Sequence, residues 1–239
     1  MAVSEADRDE LARLAPRARI VTVPTGVDTA YFAPTAVPEK PGRLVFTGSM
    51  DWYPNEDAIL FFIDRILPAI RRAVPGVSMA VVGRNPTGRM RAVAERAGIR
   101  VTGTVEDVRV HVEPAAVYVV PLRVGGGTRL KIFEALAMGK AVLSTTVGAE
   151  GLALEPGRQV VLGDGAEALS RELVALLRSP DRRASLGSEG RRLVEECYSW
   201  KTVTTTFESG LQDTHRQRRR DRQPVRRSAD EEVHHAAEV

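Results

Sequence analysis

Cysteine, histidine and lysine are all scarce in this 239-residue chain. The one cysteine, Cys197, excludes any disulfide within the chain, and a reducing compartment is the default. Ahead of residue 215 there is one histidine, His111, so a metal site would have to be built from carboxylates. His111 stands among Val108, Val110 and Val112 and reads as structural. Cys197 has Glu195 and Glu196 beside it and no cation to stabilise a thiolate. Long apolar runs are also missing: the longest, Ala58–Ile63, is about six residues, far short of a membrane span. The opening MAVSEADRDE is charged and lacks the apolar stretch of a signal peptide. A GxxxxGK[ST] phosphate loop is absent, and so is GxGxxG after the first apolar strand, where GSMDWY stands. Hydride transfer on a dinucleotide is thereby disfavoured.

The basic excess is local. Lys plus Arg is 34 and Asp plus Glu is 31, but residues 216–227 alone hold seven Arg against one Asp. The remainder, with 27 basic and 30 acidic residues, is mildly acidic. The Arg-rich stretch could meet anionic lipid or nucleic acid through charge alone; the simpler reading is a solvated tail, with no nucleic-acid partner. Only Lys40, Lys131, Lys140 and Lys201 are lysines, so a lysine inside a motif is informative.

Strand and helix patterns alternate. Strands are expected at Leu44–Thr47, Ser78–Val82, Arg100–Thr102, Val117–Pro121, Ala141–Thr145 and Gln159–Leu162. Helices are expected at 55–73, 87–97, 106–113, 128–139, 166–178 and 181–197, with a further helical stretch to Leu211. The strands are continuously apolar, as when both faces of a sheet are covered. The fold class expected is α/β, a doubly wound parallel, Rossmann-like sheet. Ahead of it, a helix over 3–14 and a strand at Arg19–Val23 precede a segment, 30–42, in which Pro34, Pro38 and Pro41 exclude helix and central strand. This segment reads as a linker and domain boundary, and residues 213–239 as a disordered charged tail.

Ligands of such sheets bind beyond the carboxyl ends of the strands. The most informative loop there is Arg123–Arg129 (RVGGGTR). Gly125, Gly126 and Gly127 allow close backbone approach, Thr128 can cap the next helix, and Arg129 and Lys131 add two cations at its start. Together they describe a pyrophosphate cradle; the blander alternative is a glycine turn with solvated cations. Glu134 lies three residues beyond Lys131 on the same helix face, while Leu130, Phe133, Leu136 and Ala137 should face the sheet. A carboxylate there suits the two hydroxyls of a ribose, the alternative being a surface Lys131–Glu134 pair. In the first loop, GSMDWYPN (48–55), Asp51 is a sugar contact or a turn former, and Asn55 reads first as a helix cap. Glu150, in GAEGL (148–152), is a weaker candidate facing the same cleft, and Trp52 is a candidate stacking residue.

At these residues the chain resembles the donor-binding half of a retaining, two-domain GT-B glycosyltransferase of the group 1, family 4 type. PTGVDTAYFAP (24–34) is similar to the junction between the halves, FTGSMDWYPNEDA (46–58) to an exopolysaccharide-type subgroup, and PLRVGGGTRLKIFEALAMGKAVLSTTVGAEGL (121–152) to the family signature. The resemblance implies a nucleotide-sugar donor, no cofactor and no metal. It implies base contacts at Gly103–Val105, Gly48 within the donor site, and diphosphate contacts from Arg129 and Lys131, the residues that would act on the leaving group. It further implies ribose contact by Glu134, and backbone contact with the sugar or distal phosphate at Gly126, Gly127 and Thr128.

Two departures stand out. Gly126 replaces the first Glu of the common Glu-x7-Glu pattern, and the usual Arg and Lys after the first strand are absent. The organisation implied is a remnant of the N-terminal acceptor domain (1–29), the linker (30–42) and a donor domain (43–211). The implied acceptor is a sugar or lipid-linked sugar in polysaccharide or glycolipid assembly. The implied setting is the cytoplasm, with peripheral contact at the inner face of an anionic membrane, and a separate acceptor-domain chain is one way to complete the enzyme. A catalytically incompetent nucleotide-sugar or partner-binding module and a sugar-nucleotide epimerase are the alternatives.

Overall fold

The computed structural model describes residues 1–127 and 129–222, the last seven of them by backbone alone. Six strands form one parallel sheet: β1 (Arg43–Thr47), β2 (Ser78–Val82), β3 (Arg100–Val101), β4 (Val117–Val120), β5 (Val142–Ser144) and β6 (Val160–Leu162). Their order is β3-β2-β1-β4-β5-β6, the doubly wound arrangement. Strand order reverses between β1 and β4, so the crevice beyond their carboxyl ends is the switch point.

Side-chain alternation explains the continuously apolar strands. Leu44, Phe46, Met79, Val81, Val117, Val119 and Leu143 face one buried layer. Val45, Ala80, Val82, Tyr118, Val120 and Val142 face the other. The first layer is covered by α2 (Tyr53–Phe61), α3 (Leu67–Ala73), α4 (Gly88–Arg96) and α7 (Gly165–Arg178). The second is covered by α5 (Arg109–Val112) and α6 (Leu130–Ala137). A π turn, Phe62–Ile66, interrupts the helix expected over 55–73. Pro68 accounts for it, because proline has no N–H and crowds the carbonyl four residues back. In α4, Thr87 accepts from the Met90 N–H at 3.1 Å and so fixes the helix start.

One expectation ahead of the sheet is corrected. Arg19–Val23 does not form a strand; Thr22 makes one parallel bridge to Ala2, across α1 (Glu5–Leu14), which buries no residue. The 30–42 segment contains neither helix nor strand, as its prolines require, and it is tied to the body of the fold. Arg109 donates to the Tyr31 carbonyl at 2.8 Å and stacks over its ring at 3.7 Å. Arg183 pairs with Glu39, and the Lys40 N–H donates to the Pro114 carbonyl. Residues 1–203 accordingly form one compact unit.

α8 (Pro180–Leu193) and a second π turn, Val194–Tyr198, follow α7. α9 (Trp200–Arg222) runs past Leu211, so residues 213–222, expected to be disordered, are helical. Thr204 onward is a separate unit, and 223–239 lie outside the described residues. Among the described residues no helix is long and apolar enough to cross a membrane.

Candidate functional site

The loops after β1, β2 and β3 are stitched backbone to backbone. Gly48 donates its N–H to the Val82 carbonyl at 3.0 Å, Met50 to Arg84 at 2.9 Å and Gly83 to Gly103 at 3.2 Å. Gly83 has φ +146°, and a Cβ on it would stand 1.8 Å from the Gly48 carbonyl oxygen. Asp51 belongs to this stitching: its carboxylate accepts from Ser49 Oγ at 2.5 Å and from Asn85 Nδ2 at 3.0 Å, and both bonds hold it below the usual carboxylate range. The turn-forming reading of Asp51 is the one these bonds carry. Trp52, 57 % exposed, opens α2 without a side-chain cap.

Across the switch point, the glycine loop leaves β4. Arg123 grips Asp57 of α2 through two bonds of 3.0 and 2.5 Å and lies over the Phe61 ring. Gly125 and Gly127 take positive φ, +116° and +88°, which explains glycine at both. Gly126 and Gly127 are exposed with open space where a Cβ would stand. The predicted cap and donor contact at Thr128 lie outside the described residues. Helix α6 begins at Leu130 with Arg129 in the cap position and no side-chain cap.

Arg129 is the least satisfied side chain of the site. It is 9 % exposed, and Nη1 donates to the Gly126 carbonyl. Its Nε and Nη2 are buried with no hydrogen-bond partner. Burial pushes the guanidinium below its ordinary value, and the Glu150 carboxylate pulls it back. Glu150 is exposed on the turn after β5, so its charge reaches this cleft. A buried guanidinium with idle donors costs free energy until an acceptor arrives.

Lys131 follows on the first turn of α6. Its Nζ donates to Asn55 Oδ1 at 2.9 Å and lies 4.3 Å from the centre of the Phe46 ring. Burial, and secondarily the Arg129 charge, push the amine down to about 7. Gly48 completes the wall, since a Cβ there would meet Asn55 Nδ2 at 2.7 Å and Lys131 Nζ at 2.9 Å. Asn55 therefore does not cap α2. It is 6 % exposed and bridges the first loop to α6, with Nδ2 donating to the Ser49 carbonyl at 2.8 Å.

Glu134 is partly buried, and its carboxylate has no hydrogen-bond partner among the described residues. Burial raises its carboxyl, against the pull of Lys131. The surface Lys131–Glu134 pair considered above does not form, because the amine turns to Asn55. The predicted apolar face of α6 is also corrected: Leu130 is exposed, while Ile132 and Ala135 are buried with Phe133, Leu136 and Ala137. Helices on one side and the sheet on the other leave α6 little free surface.

Sequence reasoning missed the pair Thr47 and Tyr118, whose hydroxyls share a short hydrogen bond inside the second layer. Burial raises the Tyr118 phenol far above its ordinary value, and Glu134 adds to the effect. Val105, a predicted base contact, is partly buried against the second layer at the β3 end of the same sheet edge. His111 is partly buried, and burial with the Arg100 and Arg43 charges lowers its imidazole. Among the described residues no three Asp, Glu, His or Cys side chains cluster as metal ligands.

The family model for glycosyl transferases group 1 matches residues 41–179. The chain belongs to the group 1 glycosyl transferases. Every strand and every candidate contact of the site falls inside the matched segment. A relative within curated proteins is the GDP-mannose-dependent alpha-(1-6)-phosphatidylinositol monomannoside mannosyltransferase of Mycolicibacterium smegmatis. It is 29 % identical over 210 residues, 78 % of this chain and 54 % of that protein. The GDP-mannose-dependent monoacylated alpha-(1-6)-phosphatidylinositol monomannoside mannosyltransferase of Corynebacterium glutamicum is 25 % identical over 217 residues, 80 % of this chain and 55 % of that protein. The chain thus spans about half the length of the curated relatives it matches. Among solved structures, a sucrose-phosphate synthase from Thermosynechococcus elongatus superposes with a TM-score of 0.72 at 20 % identity, covering 92 % of this chain and 58 % of that one. That likeness is one of fold: the group 1 sheet described here is a Rossmann-like half of the GT-B kind.

Proposed function

We propose that the chain is the donor-binding half of a retaining glycosyltransferase, taking a nucleoside-diphosphate sugar and serving polysaccharide or glycolipid assembly. The observation that carries this reading is the Arg129 guanidinium, buried at the switch-point crevice with two donor nitrogens unpartnered, two positions ahead of Lys131. A diphosphate supplies the oxygen acceptors that these donors lack. Glu134, with an unpartnered carboxylate on the same helix, is assigned to the ribose hydroxyls, and the backbone at Gly126 and Gly127 to the sugar or distal phosphate. Glu150, across the cleft, is assigned a contact with the donor sugar.

In the transfer, the bond between the sugar C1 and the diphosphate oxygen breaks and its electron pair leaves with the diphosphate, while the acceptor hydroxyl oxygen bonds to C1 and its proton passes to the departing diphosphate. Arg129 and Lys131 stabilise the charge that gathers there. No metal or cofactor is assigned to that step. The mannosyltransferase relatives support guanosine as the base and mannose as the sugar. The acceptor half lies ahead of this chain's donor domain or in a separate chain. The working location is the cytoplasmic face of the membrane, where a lipid-linked acceptor is presented.

Calorimetric titration of the chain with GDP, UDP and ADP tests the reading. Binding of GDP over the other two is expected, without sugar transfer by this half alone. Glu134→Ala should weaken GDP about tenfold and leave 2′,3′-dideoxy-GDP unaffected, since only the former can use the carboxylate. Equal losses for both nucleotides would remove Glu134 from the ribose. Absence of heat with every nucleotide would overturn the donor-site reading.

A further inference from the structure

We propose that Asn55 is a positioning residue for Lys131: its uncharged side-chain amide fixes the amine at the crevice and leaves its remaining donors for an arriving diphosphate. The proposal rests on the donor-site reading above. Its geometry is a two-sided clamp. Asn55 spends its oxygen on Lys131 Nζ, at 2.9 Å, and its nitrogen on the Ser49 carbonyl, at 2.8 Å. It thereby locks α6 to the β1 loop across 76 positions of sequence.

The other walls around the amine are the Phe46 ring of β1 and the Gly48 backbone just after that strand. The charged groups acting on it are Arg129, which disfavours its charge, and Glu134, which favours it. From β1 and α2 it meets only uncharged groups: ring, backbone and amide. An ammonium has three N–H donors, and Asn55 occupies one. The amide thus fixes the end of a flexible four-carbon chain and leaves the remaining donors for phosphate. An Asp at position 55 would keep the side-chain length and lose the bond to the Ser49 carbonyl, which a carboxylate oxygen cannot donate; it would also hold the amine permanently charged and compete with the phosphate for it.

Three chains test the proposal: wild type, Asn55→Asp and Asn55→Ala. Each is titrated with GDP and with UDP at pH 7.5, in buffers of different ionisation enthalpy, which reads protons taken up per nucleotide bound. Wild type should take up more than about half a proton, given an amine lowered to about 7. Asn55→Ala should bind about tenfold more weakly and keep the uptake. Asn55→Asp should bind more weakly and lose it, a readout that mere loosening of the loop would not move.

Competitive acetylation of the ligand-free chain, with Lys131 followed by mass spectrometry against pH, reads the same amine without nucleotide. Its midpoint should rise in Asn55→Asp. Should that variant fail to fold, a wild-type midpoint at the ordinary lysine value would overturn the proposal. Nucleotide binding with equal proton uptake in wild type and Asn55→Asp would also overturn it, leaving the donor site standing. Absence of binding by wild type would remove both.

Discussion

Arg129→Ala should cost about 3 kcal/mol of nucleotide affinity, roughly a hundredfold in Kd, while leaving the ligand-free chain as stable as before or more so. The two halves of this expectation have one cause. In the free chain the guanidinium is buried with Nε and Nη2 unpartnered, and its removal relieves that cost. On the donor-site reading those donors find oxygen acceptors in the complex, and their loss is felt in full. Arg129→Met, which keeps much of the side-chain volume, should raise Tm most clearly. Arg129→Lys should recover only part of the affinity, because an ammonium cannot reproduce the planar fork. Thermal melting with and without GDP checks both signs on one sample. A variant that lost stability and affinity together would mark Arg129 as a structural residue.

Gly83→Ala is expected to destabilise the chain by about 3 kcal/mol, a fall in Tm of roughly 6–12 °C, and to impair nucleotide binding as well. The added methyl would stand 1.8 Å from the Gly48 carbonyl oxygen, on a backbone at φ +146°. Neither fault yields to a side-chain rotation, because the obstacle is backbone and the dihedral itself is disfavoured. Relief requires the β1 loop to move away from the β2 loop. That displaces Gly48 from its place against Asn55 and Lys131 and opens the wall of the crevice. Gly88→Ala, where a Cβ meets nothing within 4 Å, is the matched control and should be close to neutral. Melting curves and calorimetry on the pair of variants separate the local clash from any general effect of losing a glycine.

The inner strands were legible because they are flanked on both faces, so apolar runs such as VYVV at 117–120 had no competing explanation. Arg19–Val23 has equally good β composition and yet makes one bridge, to Ala2. Strand formation depends on neighbours that a local pattern does not reveal. The same limit applied to Asn55. A polar residue just after proline near a helix start resembles a cap, whereas its actual partner, Lys131, is 76 residues distant. Arg129, Lys131 and Glu134 were legible as a group because glycine loop, helix start and charges are adjacent in sequence. Their burial was not, because it comes from β1, α2 and the remainder of the second layer. The face of α6 was misassigned at Leu130 for a related reason: a helix enclosed on most sides has too little polar contrast for its period to be read.

The strand-like pairing at Val27 has a further consequence. The Val27 N–H donates to the Tyr198 carbonyl at 2.8 Å, and the Trp200 N–H returns to the Val27 carbonyl at 3.1 Å. The first and last stretches of the layered body thus meet at Val27. Everything between those two points is therefore a loop in the topological sense, closed by a backbone clasp. Such a body can be transplanted as a cassette, or rejoined there and reopened on its far side, without stretching a single internal connection.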